Sequence, residues 1–405
     1  MTLTIRSITD DEVPAFRDAL MSTFGEDADD ADPGGSDRVR KLIAPGRMWA
    51  AFDAGSVVAT AATFDHPLGV PGGGTLPIAG LTMVTVRPTH RRRGLLRELI
   101  RLHLAEARDR DVPASALWAS EAGIYRRFGY GLASVHDAFE IHAAGSVRFA
   151  DTWADANDEV ESVDEARARE RLPAIFARAT ANRPGVVRRT DVWWQERRFL
   201  ETPFQRRGAS RRRHVIARRG GEDVGFVAYR QRPGFAEGLP NGKIEIIELH
   251  AIDARAEASL WKFAMSIDLF PTVTWWCAPA DCPLPWMLSD GRRVQRQRFD
   301  NLWLRLDDIP AAMALRTYAH DGHLRFAVDN TTWELVVANG AGRCTKTNDA
   351  AQIAMDLPTL GSLYLGGTPA SMLARAELVR GDATALRVAD CLFGSAVAPW
   401  CPEVF

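Results

Sequence analysis

Three consecutive arginines and a glycine, Arg91-Arg92-Arg93-Gly94, stand between an apolar stretch ending at Val86 and LLRELIRLHLAEARDR, whose leucines recur at helical spacing. Backbone N–H groups at a helix start point outward unpaired, and the helix dipole favours anions there. A glycine at 94 lets a ligand approach the backbone, and guanidinium forks match phosphate oxygens. Strand, basic turn, glycine and helix in this order predict a pyrophosphate site built on Arg91, Arg92, Gly94 and Leu95. A second unusual stretch closes the chain, APWCPEVF at residues 398–405. Chain ends are generally polar and frayed. Here Pro399 and Pro402 stiffen the segment while Trp400, Val404 and Phe405 supply anchors, so a docked end with a fixed α-carboxylate is expected. Carboxylates form the third group: Glu26, Asp27, Asp29, Asp30, Asp32 and Asp37 crowd one loop, with Glu121 and Glu403 elsewhere. Lining one pocket, they would concentrate polycationic amines. The same loop could equally be solvated surface. Phe24 is a candidate stacking wall; Trp49 reads as core.

These groups need elements to hold them. TLTIRSI reads as a strand, followed by a helix from about Asp11 to Phe24 and by paired strands MWAAF and SVVATAATF around a turn at Asp53, Ala54 and Gly55. IAGLTMVTV is the strand before the basic turn, and ASALWAS leads into the turn-helix EAGIYRRFGYGLAS. The order is α/β. After residue 145 it returns in RRHVIARRG, VGFVAYRQ, GKIEIIELHAID and ARAEASLWKFAMSI, but without any Arg-Arg-Arg-Gly turn after Ile252. From about Arg292, the strands LWLRL, HLRFAVD and TWELVVA and the helical DLPTLGSLYLGG and ASMLARAEL form an α+β unit. The expected organisation is 1–145, 146–291 as a degenerate copy, and 292–405.

Composition limits the function classes. The chain of 405 residues is 46% hydrophobic and 25% charged, the balance of a soluble globular protein large enough for two or three domains. Fifty basic residues oppose 52 acidic ones, a net charge of -2, so no overall field exists to hold nucleic acid or an anionic membrane. The arginines between 206 and 219 lack interleaved aromatics and do not read as an RNA site. Five scattered cysteines fit reduced thiols in a cytoplasm, and neither they nor the histidines show ligand spacing, so no metal is assigned. MTLTIRSITDDE has no signal-peptide pattern, and no apolar run approaches the about 18 residues of a membrane span.

The run Arg91-Arg92-Arg93-Gly94-Leu95-Leu96 resembles motif A of the GCN5-related acetyltransferases, Arg/Gln-x-x-Gly-x-Gly/Ala after a strand, departing from it at Leu96. Together, THRRRGLLREL, ASEAGIYRRFGYG and PWCPEVF resemble the enhanced intracellular survival (Eis) branch of that superfamily over the whole chain. That resemblance implies tandem GNAT folds, the second degenerate, followed by a sterol-carrier-like α+β domain whose carboxyl terminus reaches the active site. It implies acetyl-CoA as cosubstrate, bound along backbone groups of Met83, Val84 and Val86, with Arg91, Arg92, Gly94, Leu95 and Ser120 completing the contacts. Tyr125 matches the tyrosine that protonates the departing thiolate, and Phe405 the terminal carboxylate that acts as general base. Phe24, Glu26, Asp27, Met83, Glu121 and Glu403 are the expected substrate contacts. A homohexamer in the cytoplasm, with release to a host or medium conceivable despite the missing signal, is implied as well. The alternatives are a lipid carrier, suggested by the third domain, or an acyl-CoA-sensing regulatory protein without turnover.

Overall fold

The computed structural model describes residues 3–27, 32 and 34–405, with backbone alone at 203 and 204. Its first strands are β1 (Thr4–Ser7), β2 (Met48–Asp53), β3 (Ser56–Gly69), β4 (Thr75–Val86), β5 (Ala114–Trp118), β6 (Gly131–Leu132), β7 (Val135–His142) and β8 (Glu159–Val163). Then come β9 (Arg213–Arg219), β10 (Glu222–Arg232), the small hairpin β11 (Phe235–Ala236) and β12 (Leu239–Pro240), β13 (Lys243–Ala251), β14 (Thr272–Pro279), β15 (Val294–Asp300) and β16 (Leu302–Leu306). The helices that matter for the site are α1 (Val13–Thr23) and α2 (Leu95–Asp109); α3 (Ala254–Met265) is the counterpart of α2 in the repeat. None of the described helices is long and apolar enough to cross a membrane.

By contact the chain forms two units, one of residues 1–134, 182–192 and 300–405, the other of 135–181 and 193–299. The first contains a seven-stranded sheet in the order β1-β2-β3-β4-β5-β16-β6. Strand β3 is buried throughout from Val57 to Ala62, apolar apart from Thr60, as a strand covered on both faces requires. Helix α2 buries Leu95, Leu99, Ile100, His103 and Ala107, one stripe at helical spacing, against a core that includes Trp49, Leu81, Leu117 and Tyr130. Two assignments differ from expectation. LWLRL, placed with the third unit by its position in the chain, is β16 and pairs antiparallel with β5 from Leu302 opposite Trp118 to Leu306 opposite Ala114. Strand β7, which precedes residue 145, joins the second sheet by pairing with β14. For β16 the physical reason is the open edge of β5: β16 fills it and in turn carries the two-residue β6 on its other side.

The feature that shapes the site is the parting of β4 from β5. They pair in parallel at Ile78, Ala79 and Gly80 and no further, while β4 runs on to Val86 along β3. Between Thr60 and Ala62 of β3 the register slips, because Met83 and Val84 together oppose Ala61. Met83 has φ +54, a left-handed conformation that costs a non-glycine residue about 1–2 kcal/mol. Local hydrogen bonds offset it: the Thr60 hydroxyl donates to the Met83 carbonyl at 2.7 Å and lies 2.6 Å from the Thr85 hydroxyl.

The second unit holds a seven-stranded sheet, β15-β7-β14-β13-β10-β9-β8. Its plan repeats the first: β13 pairs in parallel with β14 only from Lys243 to Ile246, and the register with β10 slips between Ala228 and Tyr229. The first unit also carries a five-stranded sheet of β17 (Gly322–Val328), β18 (Thr331–Ala338), β19 (Ala341–Lys346), β20 (Ile353–Met355) and β21 (Val379–Gly381), in the order β19-β18-β17-β20-β21. Helices α4 (Leu357–Tyr364) and α5 (Ala383–Phe393) accompany it.

Candidate active site

At the end of β4 a short 3-10 turn, Pro88–His90, leads into the arginine run. Arg92 (φ +63) and Gly94 (φ +83) both take left-handed conformations, which turn the chain sharply into α2. Gly94 is the N-cap residue of α2 and no side chain caps the helix, so its first N–H groups face outward beside the exposed Arg91, Arg92 and Arg93. A Cβ at 94 would meet no atom within 4 Å, so it is the backbone conformation that asks for glycine. His90 anchors this turn. Its Nε2 is 3.1 Å from an Asp53 carboxylate oxygen at the end of β2, and its Nδ1 is 2.8 Å from the Thr89 hydroxyl.

The turn opens onto a cleft of about 820 Å³, within the range of sites for small molecules and cofactors. Val84 and Val86 of β4 line it, as do Arg91, Arg92, Gly94 and Leu95 of the turn, Phe24 just past α1, and Ser120, Glu121 and Tyr125; of the expected residues, Met83 and Phe405 are not among those lining it. Arg97 and Arg127 line it too, and the sequence had not singled them out. Arg97 sits three positions beyond Gly94 and Arg127 two beyond Tyr125, a basic spacing around the two motifs that is the signal available in the sequence. Tyr125 lies between two 3-10 turns and is 5% exposed. Burial, and then the charge of Glu121, push its phenol up to about 12, so it is a proton donor at neutral pH. Tyr130, edge-on to it at 6.3 Å between centroids, is wholly buried in the core.

Phe405 is docked at the strand parting. Its ring covers Gly80, where a Cβ would lie 3.1 Å from a ring carbon, and stands 5.5 Å from the His66 ring. It is 8% exposed. The carboxylates distribute differently from the expected acidic pocket. Glu121 is exposed and lines the cleft. Glu26 is half-buried and Asp27 exposed, and neither is among the residues lining it. Asp32 is paired with Arg17 and Arg38, and Asp37 with Arg40. Asp29 and Asp30 lie outside the described residues. Glu403 is 2% exposed and ion-paired with Arg189, so its charge is neutralised inside the protein instead of facing a substrate.

These residues fit a nucleotide thioester. Open helix amides and guanidinium groups answer a pyrophosphate, and β4 beyond Gly80 offers backbone groups that β5 no longer engages. The second unit lacks this provision. The N-cap of α3 is Asp253, whose carboxylate accepts from the Ala256 N–H at 2.9 Å and pairs with Arg219 at 2.8 Å. The anion position is filled by the chain itself, which makes the repeat degenerate.

Comparison with known proteins agrees. The chain matches acetyltransferase (GNAT) domains over residues 4–133 and 185–306 and a sterol carrier protein domain over 309–402. It is 35% identical to N-acetyltransferase Eis of Mycobacterium tuberculosis, over 98% of each chain. An uncharacterised N-acetyltransferase of Streptomyces coelicolor is 33% identical over the full length of both. The crystal structure of Eis1 from Mycobacterium abscessus superposes with a TM-score of 0.83 at 29% identity, covering both chains entirely. A GCN5-related N-acetyltransferase of Anabaena variabilis, 20% identical with a TM-score of 0.83, shares the fold. Tandem GNAT domains, a sterol-carrier-like domain and full-length kinship place the chain in the Eis family of GCN5-related N-acetyltransferases.

Proposed function

We propose that the protein transfers an acetyl group from acetyl-CoA to polycationic amines such as aminoglycosides, directly and in a ternary complex. The observation that carries this reading is the seat of Phe405 on Gly80, where β4 leaves β5, in a unit whose β4 and Tyr125 also line the cleft that ends at the arginine-glycine turn.

Acetyl-CoA supplies the activated acyl group. Arg91, Arg92 and the α2 amides hold its phosphates, and the β4 backbone from Met83 to Val86 takes the pantetheine, with Ser120 beside it. Phe24 and Glu121 receive the cationic acceptor. The Phe405 carboxylate removes a proton from the acceptor nitrogen, directly or through water, as the C–N bond forms. Backbone N–H groups near Met83 and Val84 face the carbonyl oxygen as charge develops on it. The Tyr125 hydroxyl gives its proton to the sulfur as the C–S bond breaks, leaving free thiol and acetylated amine. Oligomeric assembly as a hexamer in the cytoplasm belongs to the same reading.

The lipid-carrier alternative is disfavoured by Arg316. This arginine is buried within the third domain, donates to the carbonyls of Tyr364, Leu392 and Phe393, and packs against the rings of Tyr318, Tyr364 and Phe393. A charge so enclosed makes this part of the domain a poor seat for an apolar chain.

The decisive experiment mixes protein, acetyl-CoA and kanamycin and follows thiol release. Amine-dependent release is expected, and its loss on deleting Phe405 or extending the chain by a few residues, with acetyl-CoA binding retained. A fully active extended chain would remove the terminal carboxylate from the mechanism; coenzyme binding without turnover across amines would favour the sensor.

A further inference from the structure

Residues 182–192 return to the first unit between two stretches that belong to the second. This return segment runs along the end of β3: Gly69 N–H donates to the Val186 carbonyl at 2.7 Å, Gly185 N–H to the Gly69 carbonyl at 2.8 Å, and Arg188 N–H to the Pro67 carbonyl at 2.8 Å. It also grips the carboxyl-terminal tail. The Arg183 guanidinium donates to the Ala398 carbonyl at 2.9 Å, and Trp400 N–H donates to the Pro184 carbonyl at 2.9 Å. Gly185 has φ +86, and a Cβ there would lie 3.0 Å from the Trp400 backbone, so close approach and conformation both require glycine.

Two further anchors lie nearer the terminus. Asn301 accepts from Cys401 N–H and donates to the Cys401 carbonyl, both at 3.0 Å, and is itself held by the Ser134 hydroxyl at 2.8 Å. Arg189 Nε then meets a Glu403 oxygen at 2.5 Å, with side-chain exposures of 0% and 2%. A buried ion pair contributes little net stability compared with apolar packing, yet it fixes register, because a shifted tail would separate two charges that meet out of reach of water. Beyond Glu403 only Val404, partly exposed, separates the pair from Phe405.

We propose that Arg189 is a positioning residue for the reaction: through its buried pair with Glu403, on a segment already bound to β3, it holds the terminal carboxylate at the strand parting. The inference rests on the reading of that carboxylate as the general base. In this role Arg189 acts through Glu403, by setting where the tail ends.

The test uses the full-length protein and its R189M, E403Q and R189M/E403Q variants, with a Phe405 deletion as control. Thiol release from acetyl-CoA with kanamycin gives kcat and KM, and carboxypeptidase A release of phenylalanine reports the freedom of the tail. For R189M, kcat falls about tenfold or more with KM for acetyl-CoA within about twofold, and phenylalanine is freed at least about tenfold faster than from the unmodified chain. The double variant regains most of the lost kcat, since removing both charges together avoids the mismatch that either single change creates, which a general loss of structure would not allow. If R189M does not fold, E403Q carries the same two readouts with smaller changes in the same directions. An unchanged kcat and an unchanged release rate in R189M, beside an inactive Phe405 deletion, overturn the positioning role. A fully active Phe405 deletion overturns the terminal-base reading instead, and the release rate then decides alone whether Arg189 holds the tail.

Discussion

A phenol that burial and a neighbouring carboxylate push to about 12 keeps its proton through every pH at which the enzyme would be assayed. The sign matters: because the value is raised, Tyr125 is fully protonated below it, and its ionisation cannot account for any loss of activity between pH 6 and 9. Replacing Tyr125 by Phe is therefore expected to lower kcat by about 100-fold or more, the range for loss of a general acid, while leaving the pH profile's shape in that interval unchanged. Steady-state kinetics across pH checks this; a variant with undiminished kcat would remove Tyr125 from the proton path. The arginine-glycine turn was readable as an open helix start because strand, turn and helix are contiguous; Tyr125 was singled out by the resemblance, and the structure places it in the lining of the same cleft. Glu403 was not: next to a docked terminus it reads as a substrate acid, and only the long-range meeting with Arg189 shows that its charge is already matched.

At the scale of single elements, two helices with one ancestral plan differ at their first residue. Gly94 leaves the α2 amides open, whereas Asp253 closes those of α3 with its own carboxylate. Both helices were legible from spacing alone, and so was the missing basic turn in the second. Further along, α2 holds a second legible pattern with an illegible partner. His103 belongs to its apolar stripe, wholly buried, with Nδ1 2.7 Å from the Thr63 hydroxyl on β3. Burial, and then the charges of Arg110 and Arg305, lower its imidazole from 6.5 to about 3. The unfolded chain binds that proton below about pH 6.5 and the folded chain does not until about 3, so the associated stability is complete above 6.5 and is lost as pH falls through this window. His103→Gln should flatten the acid limb: urea midpoints compared at pH 7 and pH 4.5 should differ less in the variant than in the unmodified protein. Equal pH sensitivity would assign the acid limb to other groups.

Over the whole molecule, connectivity matters as much as pattern. Alternation and composition located the strands and helices, but no local signal says which sheet a strand joins. LWLRL looks the same whether it begins a third domain or completes the first sheet; the open edge of β5 decides. A fragment ending at residue 145 lacks β16 and should therefore aggregate on expression, while the full chain stays dispersed; sedimentation of both checks this, and a monodisperse, cooperatively melting fragment would show that β5 needs no cover. The late arrival of β16 also has a consequence in time. The ribosome finishes β5 at Trp118 and reaches Leu302 only 184 residues later (302 − 118), which at about 5–20 residues per second is roughly 10–40 seconds. Throughout that interval the partner of the β5 edge has not been made, so the first sheet can close only once nearly three quarters of the chain exists.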